Sequence, residues 1–447
     1  VKRVPLLGHA GLDDIFAWRQ DGSVTVRHFL AEATALAAGL PPGHHLLNVC
    51  QDRYHFAVGL AAGLLSGRIS LQPSSHSPET LRQIHAACPD VCCLCDGEFA
   101  SGDLPRLDFP VLVAVDPEKV VKIPEIPADQ PAIQVYTSGS TGEPLPYRKS
   151  WGSLVRNARA EASRLNVAGH AIVGTVPAQH MYGFESTVLL ALHGNAPFWS
   201  GKPFYPQDIV AALAAVPQPR LLVSTPFHLA ALLESGLELP AVDLLLSATA
   251  RLSDELASAA ESRFRAPLME IYGCTESGQI ASRRTTAGPA WELFADVRLE
   301  QDGGQTFACG GHVEGRPALA DVIEILADGR FLLHGRDADL VNIAGKRTSL
   351  AFLNHQIATI AGVRDAAFYL PEAGAATGIT RLCAFAVAPG LAAPALLQAL
   401  RERIDPIFLP RPLFLVDHLP RNGVGKLPLA ALQALHAAHA GKTHGRR

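Results

Sequence analysis

Apolar and polar positions along this chain follow two periods. Between Arg53 and Leu65, Tyr54, Ala57, Val58, Ala61, Ala62 and Leu65 recur at the spacing of a helix face. Gly67 stops the pattern, and Ile69 to Leu71 is short and extended. Leu81 to Ala87 repeats the helical spacing and ends before Pro89, and Val91 to Cys95 reads as a compact apolar strand. Further short apolar runs predict strands at Val111 to Val115, Ala132 to Tyr136, Ala171 to Val176 and Leu221 to Val223. Helices over Leu154 to Leu165 and Asp208 to Ala215 separate some of them. Strands alternating with helices predict an α/β fold with largely parallel sheets covered on both faces. From Trp291 to Leu333 the texture becomes short alternating segments with turns at Asp302 to Gly304 and Asp328 to Gly329, as in a small antiparallel sheet or barrel. A linker is expected at Gly335 to Asp339, and a small α+β unit from there to about Ala440.

Length and composition narrow the class. The 447 residues allow two or three folded units, and 48% hydrophobic against 18% charged residues excludes a disordered chain. A formal net charge of -4 argues against binding a nucleic-acid polymer. The longest apolar stretch, Phe56 to Leu65, is about half a membrane span, and Val1 to Leu7 carries no signal-peptide pattern. Eight cysteines, four of them between Cys88 and Cys95, do not suggest a secreted disulfide framework. Alternation along a buried strand also keeps Cys88, Cys92, Cys93 and Cys95 from converging on one zinc ion. A cytoplasmic protein is the expectation. The charge is uneven, however. From Arg336 to the end there are 13 Lys/Arg against 7 Asp/Glu, a formal +6, which leaves -10 on the remainder. A basic final quarter suits an anionic ligand or partner.

Four segments can carry chemistry. Tyr136 to Pro144 follows an apolar strand and holds Thr137, Ser138, Gly139, Ser140, Thr141 and Gly142, a loop able to wrap an anion with N–H groups and hydroxyls. It is not a P-loop, because no lysine follows Gly142. Tyr272, Gly273, Thr275 and Glu276 offer a ring, a close backbone approach, a hydroxyl and a carboxylate. Mg²⁺ bound with ATP needs few protein carboxylates, so one glutamate suffices. Asp321 accepts and Arg336 donates, so together they can hold the two hydroxyls of a ribose. Lys426 stands in a glycine-flanked turn, Asn422 to Lys426, where an ammonium can stabilise developing negative charge. Each segment alone also fits an ordinary surface loop or ion pair.

In this order the four segments resemble the acyl-adenylate-forming superfamily: acyl- and aryl-CoA synthetases, peptide-synthetase adenylation domains and firefly luciferase. Asp52 to Gly67 resembles an early helix-and-glycine signature of its large domain, Pro177 to Phe184 its acid-pocket motif, and Leu246 to Ala250 its substrate wall. The resemblance implies a large domain, 1–334, of two stacked α/β subdomains plus a barrel-like one, and a mobile α+β lid, 335–447. It implies ATP and Mg²⁺, with Ser138 to Gly142 around the phosphates and Tyr272 against adenine. Thr275 would meet the α-phosphate, Glu276 would hold the metal, and Asp321 and Arg336 would hold the ribose. Lys426 would bridge carboxylate and phosphate, and Gly345, Lys346 and Arg347 would line the thiol channel.

The chain also departs from the family. Leu145 stands where a phosphate-loop lysine is usual, and Lys149 is the candidate to supply that charge. Ala338 stands at the usual hinge acid, between Asp337 and Asp339. Ala248 and Thr249 replace two pocket-wall glycines and narrow the tunnel beside Ser247. Tyr182, Gly183, Phe184 and Glu185 offer no clear partner for an α-amino group. With His180 and Tyr182 in the pocket, the expected substrate is a small aryl acid, hydroxybenzoate- or cinnamate-like. The acceptor is expected to be the phosphopantetheine thiol of an acyl carrier protein, from the basic final quarter, the trimmed length and the Lys149–Trp151 pattern. CoA is the alternative. A non-catalytic nucleotide or acyl-ligand sensor on the same fold is a reading of another class.

Overall fold

The computed structural model describes residues 2–447 apart from 74, 75, 77, 110–114, 139–143, 337–339, 344–345, 372–381, 405, 424 and 444–447. Contacts divide the chain into two units, 1–300 with 307–317, and 301–306 with 318–447.

In the first unit, Asp52 starts the helix Arg53–Leu65 by accepting the N–H groups of Tyr54 and His55, at 2.8 and 3.0 Å.

 The helix is apolar around its whole circumference, and eleven of its 13 residues are buried, which marks it as an internal helix. One sheet beside it has six strands in the order Pro144–Ser150, Pro131–Ser138, Ile69–Gln72, His45–Asn48, Cys92–Cys95 and Arg106–Asp108. All its pairs are parallel except the first, where Pro144–Ser150 runs back along Pro131–Ser138. On Cys92–Cys95, Cys93 and Cys95 pack with Leu47, Leu71 and Leu81, while the Cys92 thiol takes a contact from Arg68. The cysteines therefore alternate between faces, as the strand pattern requires.

The larger sheet has nine strands. Its centre is parallel, in the order Leu268–Cys274, Leu244–Ser247, Arg220–Ser224, Ala171–Gly174, Phe198–Trp199 and Ile15–Arg19, with antiparallel strands at both margins. Helices Pro206–Ala214, Pro226–Glu234 and Asp254–Phe264 cover one face. Ile209, Leu213, Leu229, Leu232 and Phe264 pack there on Leu222, Leu245 and Leu268. The expected helices at 154–165 and 208–215 are found at Trp151–Leu165 and Pro206–Ala214. Most of the strand expected at 111–115 lies outside the described residues.

The second unit carries the expected α+β pattern. Strands Asp365–Tyr369, Cys383–Val387 and Leu413–Leu415 form a sheet. Leu353, Ile357, Leu396 and Leu400, from helices Leu350–Ala358 and Ala393–Arg401, pack on one face of it with Phe368 and Ala384. Leu432, from the helix Leu429–Thr443, packs on the other with Tyr369 and Phe385. Of the expected linker, Gly335 and Arg336 end the strand Phe331–Arg336, and 337–339 lie outside the described residues.

Candidate active site

The carboxyl ends of the parallel strands in the nine-stranded sheet open on one edge, the usual place for a ligand crevice in such sheets. Leu268–Cys274 ends there in a tight return to Gly278–Arg284. Gly273 is required by space: a Cβ on it would lie 2.2 Å from the Gly278 carbonyl oxygen, and the pairing register shifts between Tyr272 and Gly273. Cys274 Sγ and Ser277 Oγ, 3.2 Å apart, close the turn. Thr275 and Glu276 sit half-buried at its tip. Tyr272 is also half-buried, its ring centroid 5.7 Å from that of Trp291.

The neighbouring strand Leu244–Ser247 delivers the expected wall. Ser247 and Ala248 are buried, and Thr249 follows with φ +77. That is left-handed backbone, so the chain keeps a glycine-like conformation with a β-branched residue in it. Beyond Ala171–Gly174, His180 Nδ1 accepts the Tyr182 N–H at 3.3 Å and so caps the short turn Met181–Gly183. Tyr182 is buried, and burial holds its phenol proton far more tightly than usual, with Glu161 adding to the effect. A Cβ at Gly183 would fall 2.1 Å from the Pro177 carbonyl oxygen, so only glycine lets this turn fold onto its own strand end.

Beneath the turn lies a buried polar group in which Lys149 and Glu185 join residues that sequence patterns do not single out, Asn157, Glu161 and His312. Lys149 is 6% exposed, and its Nζ donates to the Glu276 carbonyl at 2.9 Å. Glu185 accepts from Asn157 Nδ2 at 2.6 Å and from the Gln279 N–H. Burial raises its pKa to about 7, although Lys149 pulls it down. Glu161 accepts from Ser186 Oγ at 2.6 Å, and burial raises it to about 8. His312 is lowered to about 4 by burial and by Lys149. Asn157 and Glu161, four residues apart on one helix face, were the only local signal of this arrangement.

Among the other expected residues of the first unit, Thr137 and Ser138 end the strand Pro131–Ser138. Gly139, Ser140, Thr141 and Gly142 lie outside the described residues. In the second unit, Asp321 and Arg336 stand directly opposite each other in an antiparallel pair. Lys346 and Arg347 begin the strand Lys346–Ser349, and Gly345 lies outside the described residues. Lys426 is exposed on a turn in which its N–H donates to Asn422 Oδ1 at 2.9 Å and its carbonyl accepts from the Asn422 N–H at 2.8 Å. Arg421 braces the same turn, donating to the Gly425 carbonyl and, through two nitrogens, to Asp365.

A family profile described as AMP-binding enzyme matches residues 13–312. The chain belongs to the AMP-binding enzyme family. Membership makes it an enzyme of an AMP-forming ligase class, as its motifs predict. Within this family it is similar to a 4-coumarate–CoA ligase of Rhodobacter capsulatus, with 29% identity over 60% of this chain and 66% of that ligase. It is also similar to a 4-chlorobenzoate–CoA ligase of an Arthrobacter species, with 24% identity over 70% of this chain and 67% of that one. Its fold is that of the o-succinylbenzoate CoA synthetase MenE from Bacillus subtilis, solved with an acyl-adenylate intermediate. The TM-score is 0.80 at 19% identity, over 96% of this chain and 97% of that one. Among the described residues no helix is long and apolar enough to cross a membrane.

Proposed function

We propose that this AMP-binding enzyme activates a small aryl carboxylic acid with ATP and passes the acyl group to a phosphopantetheine thiol. The observation that carries the reading is the gathering of the Thr275–Glu276 turn, the Ser247–Thr249 wall and the His180–Gly183 turn at one edge of one sheet. In the first step an oxygen of the acid's carboxylate attacks the α-phosphorus of ATP, and pyrophosphate leaves. In the second the thiol sulfur attacks the acyl carbonyl, and AMP leaves.

Each residue role follows from the charge problem, since the first step brings two anions together. Thr275 contacts the α-phosphate, and Tyr272 packs on adenine. Asp321 and Arg336, paired across their strands, take the ribose hydroxyls. Thr137 to Gly142 surround the phosphates, and Lys426 reaches the carboxylate and the phosphate it attacks. Glu276 fits Mg²⁺, because one half-buried carboxylate on a braced turn suits an ion that takes its remaining ligands from phosphate and water. When bound, that ion offsets phosphate charge. MenE has been solved with ATP and magnesium. Residues 335–447 are read as a lid that withdraws Lys426 after the first step, with Gly345, Lys346 and Arg347 beside the thiol.

His180, buried Tyr182 and the side chains of Ala248 and Thr249 favour a short, flat acid over a long aliphatic one. Glu185 is taken up by Asn157 and the Gln279 N–H, so it is not the partner of an α-amino group. Two thiols fit. CoA is favoured by the likeness to aryl-CoA ligases. A carrier protein is favoured by the +6 charge of the final quarter. The deciding experiment measures pyrophosphate release across aryl and fatty acids, then identifies the product by mass with CoA and with a carrier protein. Release with no acid of the panel, or with fatty acids alone, removes the aryl reading.

A further inference from the structure

Lys149 was expected to replace the lysine missing at position 145, but its surroundings point elsewhere. Leu145 and Lys149 are four residues apart on one strand, roughly 13 Å in extended chain. The register of that strand shifts between Lys149 and Ser150, an irregularity of the kind that re-aims a side chain. The result is an ammonium 6% exposed whose Nζ lies 2.9 Å from the carbonyl oxygen of Glu276, 127 residues away. A buried cation needs buried company. Glu185 supplies it from the segment Phe184–Leu189, and His312 beside it is held neutral.

We propose that Lys149 is a positioning residue that acts through the Glu276 carbonyl, fixing the height of the Cys274–Gly278 turn so that the Glu276 carboxylate meets the metal–nucleotide. This rests on the reading of Glu276 as the metal-side carboxylate. A charge-assisted bond to the backbone of a ligand residue is an outer support of the kind whose loss costs roughly 10- to 100-fold in metal affinity or activity.

The test compares Lys149→Met, Lys149→Arg, Lys149→Met with Glu185→Gln, and Glu276→Ala. ATP binding is measured by calorimetry, with EDTA and across a Mg²⁺ titration, beside acid-dependent pyrophosphate release. For Lys149→Met the Mg²⁺ midpoint for ATP binding should rise about tenfold and kcat should fall about tenfold or more, with the KM for the acid little changed. ATP binding in EDTA should stay as in the parent, and Lys149→Arg should recover most of the loss. The double variant removes the buried ammonium together with the Glu185 carboxyl; it should fold and keep the shifted Mg²⁺ midpoint. Weaker ATP binding in EDTA would show a phosphate contact and overturn the proposal. Lower thermal stability with an unchanged Mg²⁺ midpoint would show a purely structural lysine and also overturn it. If Glu276→Ala leaves the midpoint unmoved, the metal reading itself fails and takes the proposal with it. If Glu276→Ala moves the midpoint and Lys149→Met does not, only the positioning role fails.

Discussion

Thr249 holds φ +77, a region in which its branched Cβ crowds the backbone at a cost of about 1–3 kcal/mol. Replacing it with glycine relieves that strain, while the freer unfolded chain takes back roughly 0.5–1 kcal/mol. Thr249→Gly is therefore expected to be neutral or to stabilise by about 1 kcal/mol, where an ordinary substitution to glycine destabilises. It also removes a side chain from the proposed acid wall. The ratio of kcat/KM for a bulkier acid over a small one should rise about tenfold, the usual worth of a methylene-sized change in a pocket. Denaturant melts and an acid panel check both halves, and an unchanged acid preference would place Thr249 outside the pocket. Lys426 gives the second residue-scale prediction. Its turn is braced by Asn422 and by Arg421 with Asp365, so a change at the ammonium alone should leave the fold intact. Lys426→Ala is expected to lower acid-dependent ATP–pyrophosphate exchange by roughly 10²–10³ while sparing thioester formation from supplied adenylate. Full exchange activity in this variant removes Lys426 from the first step.

At the scale of elements, Arg53 ties the early helix to the larger sheet. Arg53 is 2% exposed, its guanidinium donates to the carbonyls of Gly174, Val176, Trp199 and Gly201, and burial lowers its pKa to about 10. Arg53→Met leaves four carbonyls without that donor and should destabilise by about 3–5 kcal/mol in chemical denaturation. Arg53→Lys should recover little of it, because a single ammonium lacks the fork that spans them. The helix itself was readable in advance, since an Asp52 cap, a helical repeat and a stopping Gly67 are local signals. So were the central strands, whose apolar runs need no partner to be recognised. Asp321 and Arg336 can be paired by their chemistry, and the backbone register sets the two positions opposite each other. The Lys149 bond to Glu276 was not readable, because it joins residues 127 apart and depends on a bulge that apolar periodicity does not encode. Glu161 and Glu185 likewise depend on partners from another element, Ser186 and Asn157 respectively.

The buried titratable groups of the first unit pull its stability in opposite directions with pH. His9 and His228 titrate at about 4, His312 also at about 4, and His193 at about 3, each lowered chiefly by burial from 6.5. Below pH 6.5 the unfolded chain takes up protons that these folded imidazoles refuse, so stability falls as the pH drops towards 4. Glu161 and Glu185 do the reverse. Their folded values, about 8 and about 7, lie above the ordinary 4.5, again chiefly through burial. Between pH 4.5 and those values the folded state holds protons that the unfolded chain has released, so stability falls as the pH rises, and the loss levels off once the folded carboxyls ionise. From 4.5 to 6.5 four imidazoles oppose two carboxyls and the net slope is upward. Above 6.5 only the carboxyls remain and the slope turns down, by at most about 1.4 kcal/mol per pH unit for each. Stability should therefore peak near pH 6.5. Glu161→Gln keeps the shape of the side chain and removes one of the two protons from the balance, so its urea midpoint should decline less than the parent's between pH 6.5 and 8. Parallel declines in the two proteins would mean that Glu161 is already ionised in its buried seat, with the Ser186 hydroxyl enough to hold the charge.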